Sequence, residues 1–176
     1  MARFRRIENF NRIFFVTANL GRGVPPLSET ERDIVLLALS SVREKHAFDL
    51  AGYVVMPDHL HLIISPGADG LATLMHAFKR SAHYKIALRR TMTDLLWQPR
   101  YFDNIIRCVR DFWEKLEYVH NNPVAAALSV EKRDWPWTSY GAYWGGAIPK
   151  IPVDKLELPT DGDFVLWPAP WKRPGS

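Results

Sequence analysis

The sequence predicts an α+β fold: a ferredoxin-like split β-α-β sandwich, in which an antiparallel sheet carries helices on one face. The chain has 176 residues, which suits one domain with its own hydrophobic core. Segments with strand and helix periodicity follow in the order β-α-β-β-α-β, the order of that fold. A tight Pro57-Asp58 turn between the second and third strands indicates a hairpin. We expect this domain to span residues 1–146, followed by an irregular, proline-rich C-terminal extension over 147–176.

The first strand and helix are predicted from composition and capping. Residues 12–19 are rich in β-branched and aromatic side chains, which favour a strand. Ser28 and Glu31 have the spacing of a capping box, so a helix is expected to begin after Ser28. The apolar positions of this helix recur at helical spacing, and they are Ile34, Leu37, Ala38 and Val42. The two strands of the hairpin follow over 50–56 and 59–65.

The second half of the domain is predicted to contribute two helices and one strand. A long helix follows Gly70, and its apolar side is formed by Leu71, Leu74, Met75, Phe78 and Ala82. Residues 97–106 are expected to form the fourth strand. A last helix begins near Val109 and is expected to end near Asn122-Pro123, because proline disfavours the continuation of a helix.

Positive charge is concentrated in two stretches of a chain whose net charge is +4. Residues 79–110 contain eight basic and two acidic side chains, and residues 3–12 contain four arginines and one glutamate. This pattern indicates a polyanionic partner, although a solvated helix face is the commoner cause of a charge run. The single cysteine excludes an internal disulfide. No apolar run is long enough to cross a bilayer and no signal peptide is recognisable, so we expect a cytoplasmic protein.

His59 and His61 form the first candidate site. They are two residues apart in a predicted strand, so their side chains project from the same face of the sheet. Two imidazoles at this spacing can share one cation, although two histidines on a wet strand face are a commoner arrangement. A metal that acts on phosphates also needs a further protein ligand and open positions for substrate and water.

Tyr118 is the candidate nucleophile on the last predicted helix. It lies about 180° from Val109, the first residue of the apolar stripe of that helix, so packing of its own helix does not place it. Its alternative role is that of an amphipathic surface aromatic. Asn122 is four residues on and shares the side of Tyr118 if the helix persists. Alternatively, Asn122 and Pro123 are the N-cap and first residue of a short new helix.

Four segments, in this order, resemble the Y1 transposases of the IS200/IS605 type, a group of single-strand nucleases with a His-hydrophobe-His motif. The chain looks most like the REP-associated tyrosine transposases among them. The four segments are VVMPDHLHLII from Val54, WQPRYF from Trp97, YVHNNPV from Tyr118 and DWPWTS from Asp134. The resemblance extends over most of the chain, from about Arg5 to Trp144.

The resemblance implies a metal-dependent endonuclease and transposase that cleaves single-stranded DNA and rejoins it through a covalent 5′-phosphotyrosine intermediate. By motif position, Tyr118 is the nucleophile, His59 and His61 are metal ligands, and Asn122 stands where the family places a third ligand. The implied cofactor is a divalent cation, Mg²⁺ or Mn²⁺, since amide and phosphate oxygens suit both ions. His120 stands where relatives often have an aromatic residue. Its role is either to support a metal ligand or to act as a cation at the helix end.

The implied partner is single-stranded or hairpin DNA formed by repetitive extragenic palindromes. Basic side chains are expected to grip its phosphates, and exposed aromatics such as Trp97 or Tyr101 to stack on unpaired bases. The candidate DNA-binding residues are Arg5, Arg6, Arg12, Lys79, Arg80, Trp97 and Arg100. Trp135 and Trp137 are instead expected to pack a C-terminal cap against the core. The long C-terminal extension favours a monomer, with a dimer as the alternative.

Two other functions are compatible with the same fold. The first is a module that binds structured nucleic acid without cleaving it, for which basic patches and sheet aromatics suffice. The second is a metal-dependent phosphodiesterase that uses water, with Tyr118 in a structural role. A covalent protein–DNA adduct separates the transposase from both.

Overall fold

The structure is a computed structural model, and it describes residues 12–154, 156–159 and 164–166. The regular elements of these residues, in chain order, are β1 (Ile13–Asn19), α1 (Glu29–His46), β2 (Asp49–Val55), β3 (His59–Ser65), α2 (Gly70–Arg90), β4 (Phe102–Ile106), α3 (Val109–Ala125), a 3-10 turn (Lys132–Asp134), α4 (Gly141–Trp144), β5 (Glu157–Pro159) and β6 (Phe164–Leu166). Within this part of the chain, no helix is both long and apolar enough to cross a membrane.

The central sheet has four strands in the order β2-β3-β1-β4, and every pairing in it is antiparallel. Strand β1 therefore lies between β3 and β4, while β2 and β4 form the two edges. With α1 and α2 as the connections β1-α1-β2 and β3-α2-β4, this is the split β-α-β arrangement. The predicted fold class is confirmed.

The two faces of the sheet are covered differently. Side chains alternate between the two faces along β3. Those of Leu60, Leu62 and Ile64 project from the face that carries α1 and α2, and all three are completely buried. His61 and Ile63 project from the opposite face, which α3 crosses over β2 and β3. The approach of α3 is close, because a Cβ at position 52 of β2 would lie 2.8 Å from Leu116 Cδ1. A helix therefore lies directly above the strand that bears the histidines.

Two local predictions were wrong. Leu37 was placed on the apolar side of the first helix, but it is 62% exposed, and Val35, Leu36 and Leu39 are buried instead. The fourth strand begins at Phe102 and not at Trp97, which forms only an isolated bridge with Leu20. Pro99 explains the later start, since it has no N–H to donate to a strand ladder.

The expected helix end at Asn122-Pro123 was also wrong. Helix α3 continues to Ala125 with Pro123 inside it, and the N–H of Ala126 donates to the carbonyl of Asn122. Pro123 is buried, so tertiary packing retains it in the helix although one helical N–H is missing. Asn122 is therefore not an N-cap and lies one turn after Tyr118 on the same side of α3.

The tryptophans after α3 form the cap that was predicted for them. Trp135 and Trp137 are buried, and the indole N–H of Trp135 donates to the carbonyl of Val55. The indole N–H of Trp137 donates to the carboxylate of Asp33, and the Arg32 guanidinium lies 3.9 Å from the centre of its ring. The cap therefore joins the end of β2 to α1.

The segment 147–176 is described only in part. Residues 148–154 have no regular secondary structure, but they are attached to the sheet, since Asp154 donates its N–H to the carbonyl of Leu50. Ile151 is buried and donates its N–H to the hydroxyl of Tyr53. Farther along, β5 and β6 form a small antiparallel pair.

His120 anchors α3 to the cap and the sheet. It is completely buried, and its two ring nitrogens lie 2.9 Å from Ser139 Oγ and 3.3 Å from the indole nitrogen of Trp144. Burial lowers the pKa of His120 to about 3, so the ring is neutral and does not serve as a cation at the helix end. The Ser139 hydroxyl also accepts the N–H of Tyr53 in β2.

We expect Ser139→Ala to lower the free energy of unfolding by about 1–3 kcal/mol, because it leaves buried groups of His120 and Tyr53 without a partner. Urea unfolding followed by circular dichroism measures this change. Ser129→Ala is the matched control, since the buried Ser129 hydroxyl has no hydrogen-bond partner among the described residues. Equal stability of the two variants would show that the network does not hold α3.

Candidate active site

The two histidines of β3 converge on one amide of α3. The ring centroids of His59 and His61 are 4.8 Å apart. His59 Nε2 lies 3.2 Å from Asn122 Oδ1, and His61 Nε2 lies 3.1 Å from Asn122 Nδ2. Strand alternation accounts for the histidine pair, and the unbroken α3 accounts for Asn122.

The other nitrogen of each imidazole already has a partner. His59 Nδ1 lies 2.7 Å from the Asp58 carboxylate, and His61 Nδ1 lies 2.9 Å from the Thr17 hydroxyl. These contacts orient both Nε2 atoms towards Asn122, as the outer hydrogen bonds of metal-binding histidines do. Burial, together with the nearby His59, lowers the pKa of His61 to about 3, and Asp58 offsets this only in part. His61 is therefore neutral and offers a nitrogen lone pair.

The donor set fits a hard divalent cation. His59 Nε2 and Asn122 Oδ1 lie 3.2 Å apart, so the two atoms could serve as neighbouring ligands of one ion. With His61 Nε2 they would supply two nitrogen ligands and one amide oxygen, and phosphate and water would supply the rest. No group of three His, Cys, Asp or Glu side chains suited to a metal occurs in the described residues, so a third protein ligand beside the two histidines would have to be of another kind, such as the Asn122 amide.

Tyr118 lies beside the imidazoles and remains open to solvent. Its side chain is 52% exposed, and its ring centroid is 5.2 Å from that of His61 in an edge-on arrangement. The ring of Phe15 in β1 lies 5.9 Å from Tyr118 and stacks on His61 at 5.2 Å. One chain thus brings the Tyr118 ring, both imidazoles and the amide of Asn122 together.

Lys115 is a site residue that the sequence reasoning missed. It lies one turn before Tyr118 on α3, and its ammonium group is 5.4 Å from the centre of the Phe15 ring. The same ring contacts both Tyr118 and His61, so the cation, the phenol and the imidazole surround one aromatic side chain. The spacing of positions 115, 118 and 122 on one helix was the available signal.

The candidate DNA-binding cations have different surroundings. Arg12, Arg80 and Arg100 are exposed, whereas the ammonium of Lys79 donates to the carbonyls of Gln98 and Pro99. Partial burial also lowers the pKa of Lys79. This side chain therefore holds the segment before β4 in place. The predicted contributions of Arg5 and Arg6 lie outside the described residues.

Trp97 is not the exposed ring that was expected. It is buried and packs against Phe78 of α2, with the ring centroids 5.9 Å apart. A ring enclosed in this way cannot offer a face to a nucleobase. The expectation was wrong because the strand that was to present this ring begins only at Phe102.

Comparisons with known proteins agree with this architecture. The family described as "Transposase IS200 like" matches residues 27–122, which is more than half of the chain. A REP-associated tyrosine transposase of Escherichia coli is 25% identical over 142 residues, which are 80% of this chain and 83% of that protein. A protein of Haemophilus influenzae named for the same activity is 24% identical over 123 residues, 58% of this chain and 70% of its own length.

A solved structure has the same fold. It is a REP-associated tyrosine transposase bound to a REP hairpin, and it superposes with a TM-score of 0.68 at 22% identity. The match covers 87% of this chain and 96% of that chain. It therefore extends over nearly all of that chain.

Proposed function

Because the chain belongs to the IS200-like family of transposases, which are tyrosine transposases, we propose that it cleaves and rejoins single-stranded DNA through a covalent 5′-phosphotyrosine. The observation that carries this proposal is the placement of the solvent-open Tyr118 ring 5.2 Å from the ring of His61. His61 and His59 in turn share the amide of Asn122. A module that only binds DNA has no need of this arrangement.

In the cleavage step, Tyr118 is the attacking group. Its phenolic oxygen attacks the scissile phosphorus, the new O–P bond forms, and the bond from phosphorus to the 3′ oxygen breaks. The phenol proton passes to solvent, and the leaving oxygen takes up a proton to become a 3′-hydroxyl. Reversal by another 3′-hydroxyl rejoins strands without ATP, because the phosphotyrosine retains the energy of the phosphodiester bond.

His59, His61 and Asn122 would hold the divalent cation, Mg²⁺ or Mn²⁺. When bound, such an ion would polarise a phosphate oxygen and favour the phenolate over the less nucleophilic phenol. Asp58 and Thr17 orient the imidazoles through their Nδ1 atoms. These outer contacts keep both Nε2 atoms directed at the Asn122 amide.

The substrate proposed here is a hairpin of repetitive palindromic DNA with an unpaired flank. Two relatives are named for such repeats, and the solved relative is bound to a hairpin of that kind. Exposed arginines at positions 12, 80 and 100 are suited to phosphate contacts, which give binding a steep dependence on salt.

Incubation of the protein with a labelled hairpin and Mn²⁺ tests the proposal. We expect a protein–DNA adduct that survives denaturant, with the DNA attached to the peptide that contains Tyr118 in a mass spectrum. Free 5′-phosphate ends without an adduct would indicate a hydrolytic phosphodiesterase. Hairpin binding without cleavage in any divalent metal would indicate a binding module.

We expect Lys115→Gln to slow adduct formation about 10- to 100-fold, because it removes a cation from the edge of the site where negative charge develops. Lys115 has no ion-pair partner among the described residues, so its charge is available to the phosphate or the phenolate. Rates under single-turnover conditions at saturating DNA measure this effect separately from binding.

Lys115→Arg should retain most of the rate, since the guanidinium keeps the charge. Lys45→Gln is the matched control, because Lys45 is exposed in the last turn of α1, which packs on the other face of the sheet. An unchanged single-turnover rate in Lys115→Gln would exclude a role for this ammonium in the cleavage step.

A further inference from the structure

Phe102 is an exposed aromatic side chain on the edge strand β4. It is 58% exposed, and the next residues of the strand, Asp103 and Asn104, are exposed as well. Trp97 is buried in the same motif segment, and Tyr101 is half-buried. Phe102 is therefore the most available ring of residues 97–102.

The strand register places Phe102 in the same row as the site. Thr17 of β1 pairs with His61 on one side and with Phe102 on the other. Directly paired residues project from the same face of a sheet, so Phe102 and His61 share the face that α3 crosses. Two strand spacings put their backbones about 10 Å apart.

The surroundings of this row are suited to a DNA strand. Helix α3 lies over β2 and β3, whereas Phe102 on β4 is open to solvent. The Lys115 ammonium of α3 lies above the ring of Phe15 in β1. Phe15 is two residues from Thr17 and projects from the same face. A strand whose phosphate sits at the histidines can therefore lay its next unpaired base on the edge strand.

We propose that Phe102 is the stacking platform for the unpaired nucleobase that adjoins the scissile phosphate. The inference rests on the proposed function, since it takes the position of the phosphate from the His59, His61 and Tyr118 site. Aromatic rings on open sheet faces bind unpaired bases by stacking, and every base offers a suitable face. The ring thus positions the strand without selecting its sequence.

Equilibrium binding with an abasic scan tests the platform. One base at a time is removed from the unpaired flank of a fluorescent hairpin, and affinity is measured by anisotropy with Tyr118→Phe, which leaves the DNA uncleaved. We expect loss of one particular base to weaken binding about 5- to 150-fold. In the double variant Tyr118→Phe/Phe102→Ala, removal of that same base should change affinity less than twofold, because the stacking partner is already gone.

The controls separate the ring from general effects of substitution. Phe102→Tyr should preserve the abasic penalty, because it keeps the ring. Leu37→Ala removes a similarly exposed apolar side chain from α1 and should leave the scan unchanged. An identical scan with and without the Phe102 ring overturns the inference.

The abasic scan and the cleavage assay test the stacking proposal and the proposed function separately. The base coupled to Phe102 should adjoin the cleavage position mapped with the wild-type protein, and a coupled base farther away contradicts the placement proposed here. Absence of any adduct in the wild type would sink the proposed function, while the abasic scan would still decide whether Phe102 stacks on a base.

Discussion

Tyr118→Phe is expected to form no covalent adduct with DNA and to lose strand cleavage by a factor on the order of 10³ to 10⁶, because it removes the attacking oxygen. The variant keeps the ring, and with it the edge-on contacts with His61 and Phe15. The side chain is half exposed, so its hydroxyl is not needed for the core. Denaturing gels with labelled DNA measure the adduct, and anisotropy measures binding.

Hairpin affinity of Tyr118→Phe should stay within about twofold of the wild type, so that the loss is assigned to chemistry and not to folding or binding. Tyr84→Phe is the matched control, because Tyr84 is an exposed tyrosine on α2, on the other side of the sheet from His59 and His61. It should form the adduct at the wild-type rate. A denaturant-resistant adduct in Tyr118→Phe would assign the nucleophile to another residue.

His61→Ala is expected to lower the cleavage rate about 10²- to 10⁴-fold, which corresponds to several kcal/mol of barrier. It removes one of two imidazoles from the proposed ion and leaves Asn122 facing a gap. Chelation of divalent cations should lower the cleavage rate of the wild type at least as much, and added Mn²⁺ should restore it. Single-turnover rates across a Mn²⁺ titration measure both effects.

Thr17→Val provides an intermediate case. Thr17 contacts the far nitrogen of His61, so its loss should weaken Mn²⁺ binding about 10- to 100-fold while excess metal restores the rate. His76→Ala is the control, since His76 is an exposed histidine on α2. Wild-type rates in His61→Ala, or Mn²⁺ affinity that is independent of this ring, would contradict the proposed ligand set.

The local periodicity of the sequence was sufficient to predict how His59, His61 and Tyr118 are oriented on their own strand and helix. The alternation of side chains along a strand predicted that His59 and His61 share a face, and the α-helical repeat predicted that Tyr118 turns away from Val109. Both rules depend only on the geometry of one element. The packing of α3 across β3 depends on distant residues, such as Gly52 of β2, which no periodicity describes.

The errors arose where tertiary contacts override a local preference. Pro123 disfavours a helix by itself, yet it is buried within α3, and this places Asn122 next to the histidines. Trp97 was expected to be exposed, but it packs against Phe78. Phe102 was not singled out, because its value comes from the register with Thr17 and not from its own neighbours in the chain.

Diffraction at the manganese edge, from crystals of the protein grown with Mn²⁺, tests the convergence of these groups most directly. We expect one ion bound by the Nε2 atoms of His59 and His61 and by Asn122 Oδ1, with bonds of about 2.0–2.3 Å. We also expect the Tyr118 hydroxyl to face the open positions of that ion. An ion bound elsewhere, or a phenol directed away from it, would contradict the proposed active site.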